Sequence, residues 1–239
     1  VIDMDFINEY WHPYLSGLGV TLLLTLTSMA LSLVVGTVLG SWRNSQLPTL
    51  RLISATYVAL FRGVPPLLAF FLVYFGLPSA LGEHNAPFNW LVDPLNNQMI
   101  SATIALGLVS AAYSAEIIRA AIASIPHGQL AAARSLGMLP WTRFRRVVIP
   151  QAARVAIPPL TNETITVLKG TSLASVIGVV ELTRAAQEAA SATFRTLLAY
   201  SMAGVFYVLL VLMLQLLLGW VERTLDPTRR VGLVTSRHG

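Results

Sequence analysis

The chain has 239 residues, of which 55% are hydrophobic and 11% charged, with a formal net charge of +5 and no cysteine. An ordinary soluble domain carries about 25% charged residues, so this balance excludes a water-soluble enzyme of one or two domains. The lack of cysteine excludes disulfides and zinc–thiolate sites. Four stretches, 10–42, 63–82, 94–115 and 196–221, contain no Asp, Glu, Lys or Arg. Each can cross a hydrocarbon core about 30 Å thick as a helix of roughly 20 residues. Long runs of Leu, Val and Ala also argue against an outer-membrane barrel, whose strands alternate in segments of about ten residues.

These stretches predict an all-α integral membrane protein, a single transmembrane domain over 1–239 with five helices near 17–42, 53–77, 98–118, 155–177 and 196–221. Asp3, Asp5 and Glu9 precede the first helix with no basic residue among them, which is not the pattern of a cleaved signal peptide, so the first helix is expected to stay. The basic residues alternate along the chain. None occurs in 1–42, Arg43 and Arg51 flank the first connection, and none occurs in 63–118. Arginine then clusters between Arg119 and Arg154, and Arg223, Arg229, Arg230 and Arg237 follow the last span. Under the positive-inside rule the N-terminus lies outside, and the first loop, the 119–154 loop and the C-terminal tail lie in the cytoplasm. The excess of arginine therefore reads as topology and contact with anionic membrane lipid, with no nucleic acid partner.

Within the second helix, Arg62-Gly63-Val64-Pro65-Pro66 removes two backbone donors in succession. It reads either as a break in a helix that faces a pathway or as the junction between a short interfacial helix over 50–62 and a span starting at Gly63. The outer loop 78–97 carries Glu83 and Asp93, is too short to form a domain, and is expected to act as a cap or docking rim. The loop after the third helix holds two short helical stretches. The first, 128–136, ends at Gly137, which takes the left-handed conformation of a C′ position without a Cβ penalty. The second, 141–149, interleaves Arg143, Arg145 and Arg146 with apolar residues and is expected to end at Pro150. A helix–turn–helix of this length cannot bury its own apolar residues, so Leu136, Met138, Leu139 and Phe144 pack on the membrane domain, on another protein, or on the bilayer surface.

The chain offers no chemistry of its own. Its one lysine, Lys169, follows Leu168 rather than the glycine of a phosphate-binding loop. His12, His84, His127 and His238 are scattered without ligand spacing, so no metal site is expected. Gly170-Thr171-Ser172-Leu173-Ala174 comes close to a nucleophile elbow but has no strand before it and no histidine placed to serve it. No internal repeat is evident, which fits poorly with common secondary-transporter plans, although a secondary amino acid transporter or channel not driven by ATP stays open as the alternative.

The 128–138 segment, GQLAAARSLGM, followed by FRRVVIPQA at 144–152, resembles the cytoplasmic docking loop of importer-class ABC transporter permeases. Arg62-Gly63-Val64-Pro65, AYSAEIIR at 112–119, PPLTNE at 158–163 and LKGTSLAS at 168–175 resemble the polar amino acid uptake permeases within that class. The matches cover roughly residues 62–182 in the family's order. The resemblance implies a multi-pass permease of the bacterial cytoplasmic (inner) membrane that pairs with a second permease chain, identical or similar. It further implies two ATPase subunits beneath the pore, which would hold ATP and Mg, and an extracytoplasmic amino-acid-binding protein above it, with an amino acid as substrate. No cofactor is expected in this chain. Gln129, Ala131, Ala132, Arg134, Leu136, Gly137, Met138, Leu139 and Phe144 are then the expected ATPase-docking residues. Ala131 departs from the motif, which usually has Glu there.

Glu163 falls about 13 Å into the fourth helix, near midplane. A carboxylate at that depth is costly and faces a cavity or a partner. Asn162 and Thr166 lie close enough on the helix to share the site, Lys169 approaches the outer interface, and Arg62 is the one basic residue placed to pair with Glu163. These five form the expected substrate path, with a purely structural tie of Glu163 to an arginine or to backbone as the alternative. Glu116 and Arg119 stand three apart and are expected to pair at the cytoplasmic interface. Glu181, Arg184 and Glu188 mark a short outer helix, read as a gate or a solvated face.

Overall fold

The computed structural model describes residues 4–82 and 89–225. Glu83 and His84 of the outer loop, and Arg229, Arg230, Arg237 and His238 of the tail, lie outside the described residues. All regular structure among the described residues is helical. In chain order the α-helices are α1 (Met4–Arg43), α2 (Pro48–Gly63), α3 (Pro66–Phe71), α4 (Leu77–Gly82), α5 (Asn89–Val92), α6 (Gln98–Ala123), α7 (His127–Ser135), α8 (Pro140–Arg143), α9 (Ile149–Gly170), α10 (Leu182–Thr193) and α11 (Thr196–Leu225). π-Helical turns at Leu72–Gly76 and Phe144–Val148 join α3 to α4 and α8 to α9, and a 3₁₀ segment, Thr171–Ile177, extends α9. Three helices are long and apolar enough to cross a membrane, and five spans result if each of two bent helix pairs counts as one.

The fold centres on α1 packed against α6, two parallel helices held at close range by small side chains. Thr21, Thr25, Ser28 and Ser32 recur at helical spacing on one face of α1 and are all buried, and Gly36 and Gly40 continue that face. Small residues let backbones approach, which is how helices associate where lipid removes the hydrophobic drive. At Gly36 a Cβ would stand 2.6 Å from the Cβ of Ser114, and at Gly40 it would stand 2.7 Å from the carbonyl oxygen of Ala115. The hydroxyls of Thr21 and Thr25 donate to the carbonyls of Gly17 and Thr21 at 2.9 and 2.7 Å, so these polar groups enter an apolar layer already satisfied. The opposite face of α1 exposes Leu23, Leu26 and Val34, as a lipid-facing surface would.

Several boundaries differ from the sequence expectation. The first helix starts at Met4 rather than near Gly17, passing through Pro13. Packing overrides the proline: Tyr14 is fully buried, donates its hydroxyl to the Ala199 carbonyl at 2.7 Å and stacks on Phe206, and Phe6 is buried in the same cluster. The second helix starts at Pro48 rather than near Ile53, and it breaks at the 62–66 run as that run predicts. α2 and the helix from Pro66 meet at 106°, because Val64, preceding a proline, is extended (φ −85°, ψ 129°) and Pro65 has ψ 132°. The third and fifth helices run on to Ala123 and Leu225. Much of the outer connection is helical rather than loop, with Leu95 of its 3₁₀ turn buried.

The 141–149 helix does not stop at Pro150. It widens into the π-turn Phe144–Val148 and flows into α9 with Pro150 in the first turn. A proline clashes with the carbonyl four residues back in a regular helix, and a widened turn relieves that clash. The helix of the fourth span therefore begins at the hairpin itself, well before Val155.

Candidate functional site

α9 carries the polar residues expected to line a path. Asn162, Thr166 and Lys169 are exposed, and their spacing of four and three residues puts them on one helix face. The hydroxyl of Thr166 is tied back to the Asn162 carbonyl at 3.1 Å. The other side of the same helix buries Ile165, Val167 and Leu168 against the core. An apolar helix with one exposed polar stripe is not built to meet hydrocarbon on that stripe.

Glu163 stands beside the stripe and is partly buried. Its Oε1 accepts a 2.7 Å hydrogen bond from Ser110 Oγ of α6. Arg62 does not pair with it. The guanidinium of Arg62 lies over the Tyr113 ring at 5.2 Å from the centroid, a cation–π arrangement. Ser110 and Tyr113 are one turn apart on α6, so Glu163 and Arg62 attach to the same stretch of that helix without touching each other. The ion pairs among the described residues are Arg43–Glu116 at 3.2 Å, Arg119–Glu116 at 2.7 Å and Arg184–Glu188 at 3.0 Å. Glu116 thus pairs with Arg119 as the spacing predicts, and with Arg43 as well. Asn44 donates to the carbonyls of Gly40 and Arg119, so the C-terminal ends of α1 and α6 are locked together.

The hairpin after α6 has the predicted turn. Gly137 has φ +70°. Its N–H donates to the Arg134 carbonyl at 2.9 Å, and the Met138 N–H donates to the Ala133 carbonyl at 3.1 Å, the paired bonds of a Schellman motif. Phe144 and Leu130 pack with Ala121, Ile125, Val148 and Ala152, anchoring the hairpin to α6 and α9. Met138 is half-buried, whereas Leu136, Leu139 and Trp141 are 81%, 71% and 67% exposed. Gln129, Ala131, Ala132 and Arg134 are exposed beside them. Of the four apolar side chains that need cover, Phe144 finds it within the chain and Leu136 and Leu139 do not.

Helix α7 starts at His127, one residue earlier than expected, which places Ala131 fifth in the helix, beyond the first turn. An acidic residue there gains little from the helix dipole, whose effect fades within that turn. Ala131→Glu is therefore expected to be tolerated, with stability within about 0.5 kcal/mol of wild type as for other exposed positions. A thermal melt of the purified protein checks this, and a large loss would show that position 131 is not on the open face of the hairpin.

Sequence reasoning missed the role of Glu181. It is no solvated face: fully buried, it caps α10 by accepting from the N–H groups of Thr183 and Arg184, both at 2.9 Å, and it accepts the Tyr207 hydroxyl at 2.6 Å. Only Arg184 and Glu188 form the exposed pair. Glu is not among the residues that ordinarily cap helices, so its position ahead of α10 gave no cap signal. Also missed were the buried serines of α1 and α6, whose recurrence every fourth residue was legible.

The architecture and these motifs agree with known proteins. The model of the family described as "Binding-protein-dependent transport system inner membrane component" matches residues 32–227. The chain is 37% identical over 234 residues to the octopine transport system permease protein OccM of Rhizobium radiobacter, covering 98% of this chain and 94% of that protein. It is 37% identical over 227 residues to the L-cystine transport system permease protein TcyB of Bacillus subtilis, covering 94% and 92%. Among solved structures, an amino acid ABC transporter crystallised with histidines superposes with a TM-score of 0.81 at 32% identity, covering 94% of this chain and 99% of that one. An inward-facing methionine ABC transporter, MetNI, shares the fold with a TM-score of 0.72 at 20% identity, over 89% and 96% of the two chains. With its exposed hairpin, its polar stripe on an apolar helix and these matches, the chain belongs to the binding-protein-dependent transport system inner membrane component family, the permease subunits of ABC importers.

Proposed function

We propose that this chain forms the translocation path of an ATP-driven importer for polar amino acids, together with a second permease chain, identical or similar. The observation that carries the reading is the exposed stripe Asn162, Thr166 and Lys169 beside Glu163. Polar groups on a membrane helix require a partner or a wet cavity, and a second chain facing this stripe supplies both. The path residues are Glu163, Asn162, Thr166, Lys169 and Arg62. The matches to permeases of amino acid ABC systems support the substrate class, and the carboxylate favours zwitterionic or cationic amino acids. The N-terminus faces outward, where an extracytoplasmic binding protein delivers substrate. The hairpin between α6 and α9 faces the cytoplasm, and Leu136, Leu139 and their exposed neighbours dock one of two ATPase subunits. ATP and Mg act in those subunits.

Reconstitution tests this directly. The permease, purified from membranes with its ATPase subunits and placed in proteoliposomes with the binding protein outside and ATP inside, is expected to accumulate polar amino acids only when ATP is present. Equal uptake without ATP, driven by a proton or sodium gradient, would replace this reading with a secondary transporter.

A further inference from the structure

Three serines on the α1–α6 seam are deeply buried, Ser32 and Ser114 at 0% and Ser110 at 2% exposure. Ser32 Oγ lies 3.0 Å from Ser110 Oγ and 2.8 Å from Ser114 Oγ, and Ser110 Oγ is the group that donates to Glu163. Each hydroxyl has one proton, and that count fixes the direction of the chain. The proton of Ser110 goes to Oε1 of Glu163, so Ser110 accepts from Ser32. The proton of Ser32 is then used, so Ser114 must donate to Ser32. All three O–H dipoles point the same way, toward the carboxylate, and hydrogen bonds in such a chain polarise one another. The missing Cβ at Gly36 lets Ser114 come this close to α1. Among the described residues Glu163 Oε2 has no hydrogen-bond partner, and it is not one of the buried atoms left without one, so it reaches accessible surface.

We propose that Ser114, Ser32 and Ser110 are positioning residues for the transport site, a directed hydroxyl chain that pins Oε1 of Glu163 to α6 and so presents Oε2 to the cationic group of the substrate. This rests on the reading that Glu163 lines the path. The chain supplies what a carboxylate at membrane depth otherwise lacks, an oriented donor fixed to the neighbouring helix. None of the three serines touches substrate.

The test uses the complete complex in proteoliposomes, with L-arginine, L-histidine and L-glutamine as probes, and compares Ser32→Ala, Glu163→Gln and the double variant. Ser32→Ala breaks the chain at its middle, two residues removed from the substrate. It is expected to raise KM for the cationic probes about fivefold, the scale of one hydrogen bond, with kcat little changed, and to have no further effect in the Glu163→Gln background. Ser28→Ala is the control for packing, because Ser28 is buried on the same α1 face but makes only a 3.5 Å contact with the Thr103 carbonyl; it should leave KM alone. A second measurement reads the chain without transport. The infrared carboxylate bands that disappear in Glu163→Gln are expected to shift in Ser32→Ala and to hold in Ser28→Ala. Unshifted bands, or a KM change of equal size in both backgrounds, would overturn the positioning role. If Glu163→Gln itself leaves uptake of every probe unchanged while the bands shift as expected, the path assignment of Glu163 fails and the hydroxyl chain stands as a structural element alone, so the proposal is overturned by a different result from the one that breaks the chain.

Discussion

Glu163→Gln is expected to leave assembly of the complex near wild type and to cut uptake of cationic amino acids relative to neutral ones by tenfold or more. The amide keeps the shape and still accepts from Ser110, so the contact between α9 and α6 survives. No cation is stranded, because Arg62 is engaged with Tyr113 and the arginines nearest the α1–α6 seam are taken up by Glu116. Only the charge offered to the substrate is lost. A hydrogen bond to a charged group is worth about 1.5–3 kcal/mol, more than a neutral one, and each 1.4 kcal/mol is about tenfold in affinity. Had Glu163 been half of a buried ion pair, its removal would cost roughly 3–5 kcal/mol of stability through the uncompensated cation. Uptake over a panel of neutral and cationic amino acids, measured beside the yield of assembled complex, separates the two. Normal yield with unchanged uptake defeats the path assignment, and collapsed yield defeats the geometry described here.

What the sequence made legible were the features that one element settles alone. Charge-free stretches long enough to span, the donor-poor run from Gly63 to Pro66, the helix-stopping Gly137 and the three-residue spacing of Glu116 and Arg119 each depend on local geometry, and each has its structural counterpart. What it did not disclose depends on a second element. The first helix was expected from near Gly17, but Tyr14 and Phe6 are buried in a cluster built with residues of α10 and α11, and that burial extends the helix to Met4. Pro150 looked like a stop because a regular helix cannot hold it, whereas a π-turn can. Glu181 looked solvated in a run with Arg184 and Glu188, and only the arrival of Tyr207 from α11 gives its carboxylate a buried partner. Arg62 was the sole cation within reach of Glu163 on paper, and the packing of α2 on α6 sets it over Tyr113 instead. The candidate site divides in the same way: the residues of the α9 stripe were named from spacing, while Ser110 on α6 required the packed pair.

Gly137→Val is expected to abolish productive coupling to the ATPase while the membrane body stays folded. Nothing lies within 4 Å of a Cβ placed at Gly137, so the substitution creates no clash with neighbours. Its whole effect comes from the backbone, where φ +70° is an outlier for a β-branched residue. Holding such a residue there costs about 1–3 kcal/mol, which the turn can escape by giving up the bonds from Gly137 and Met138 to Arg134 and Ala133. Those bonds set the angle between α7 and α8, and hence the spacing of the exposed Leu136 and Leu139. The anchors Leu130 and Phe144 lie outside the turn, so α6 and α9 keep their packing. Gly137→Asn is the paired control, since asparagine adopts the left-handed conformation at helix C′ positions with little penalty, and it should retain coupling. The measurements are the amount of ATPase subunit that co-purifies per permease and the stimulation of ATP hydrolysis by loaded binding protein. Loss in the valine variant with retention in the asparagine variant ties coupling to the left-handed turn, and intact coupling in both removes the hairpin from the ATPase interface.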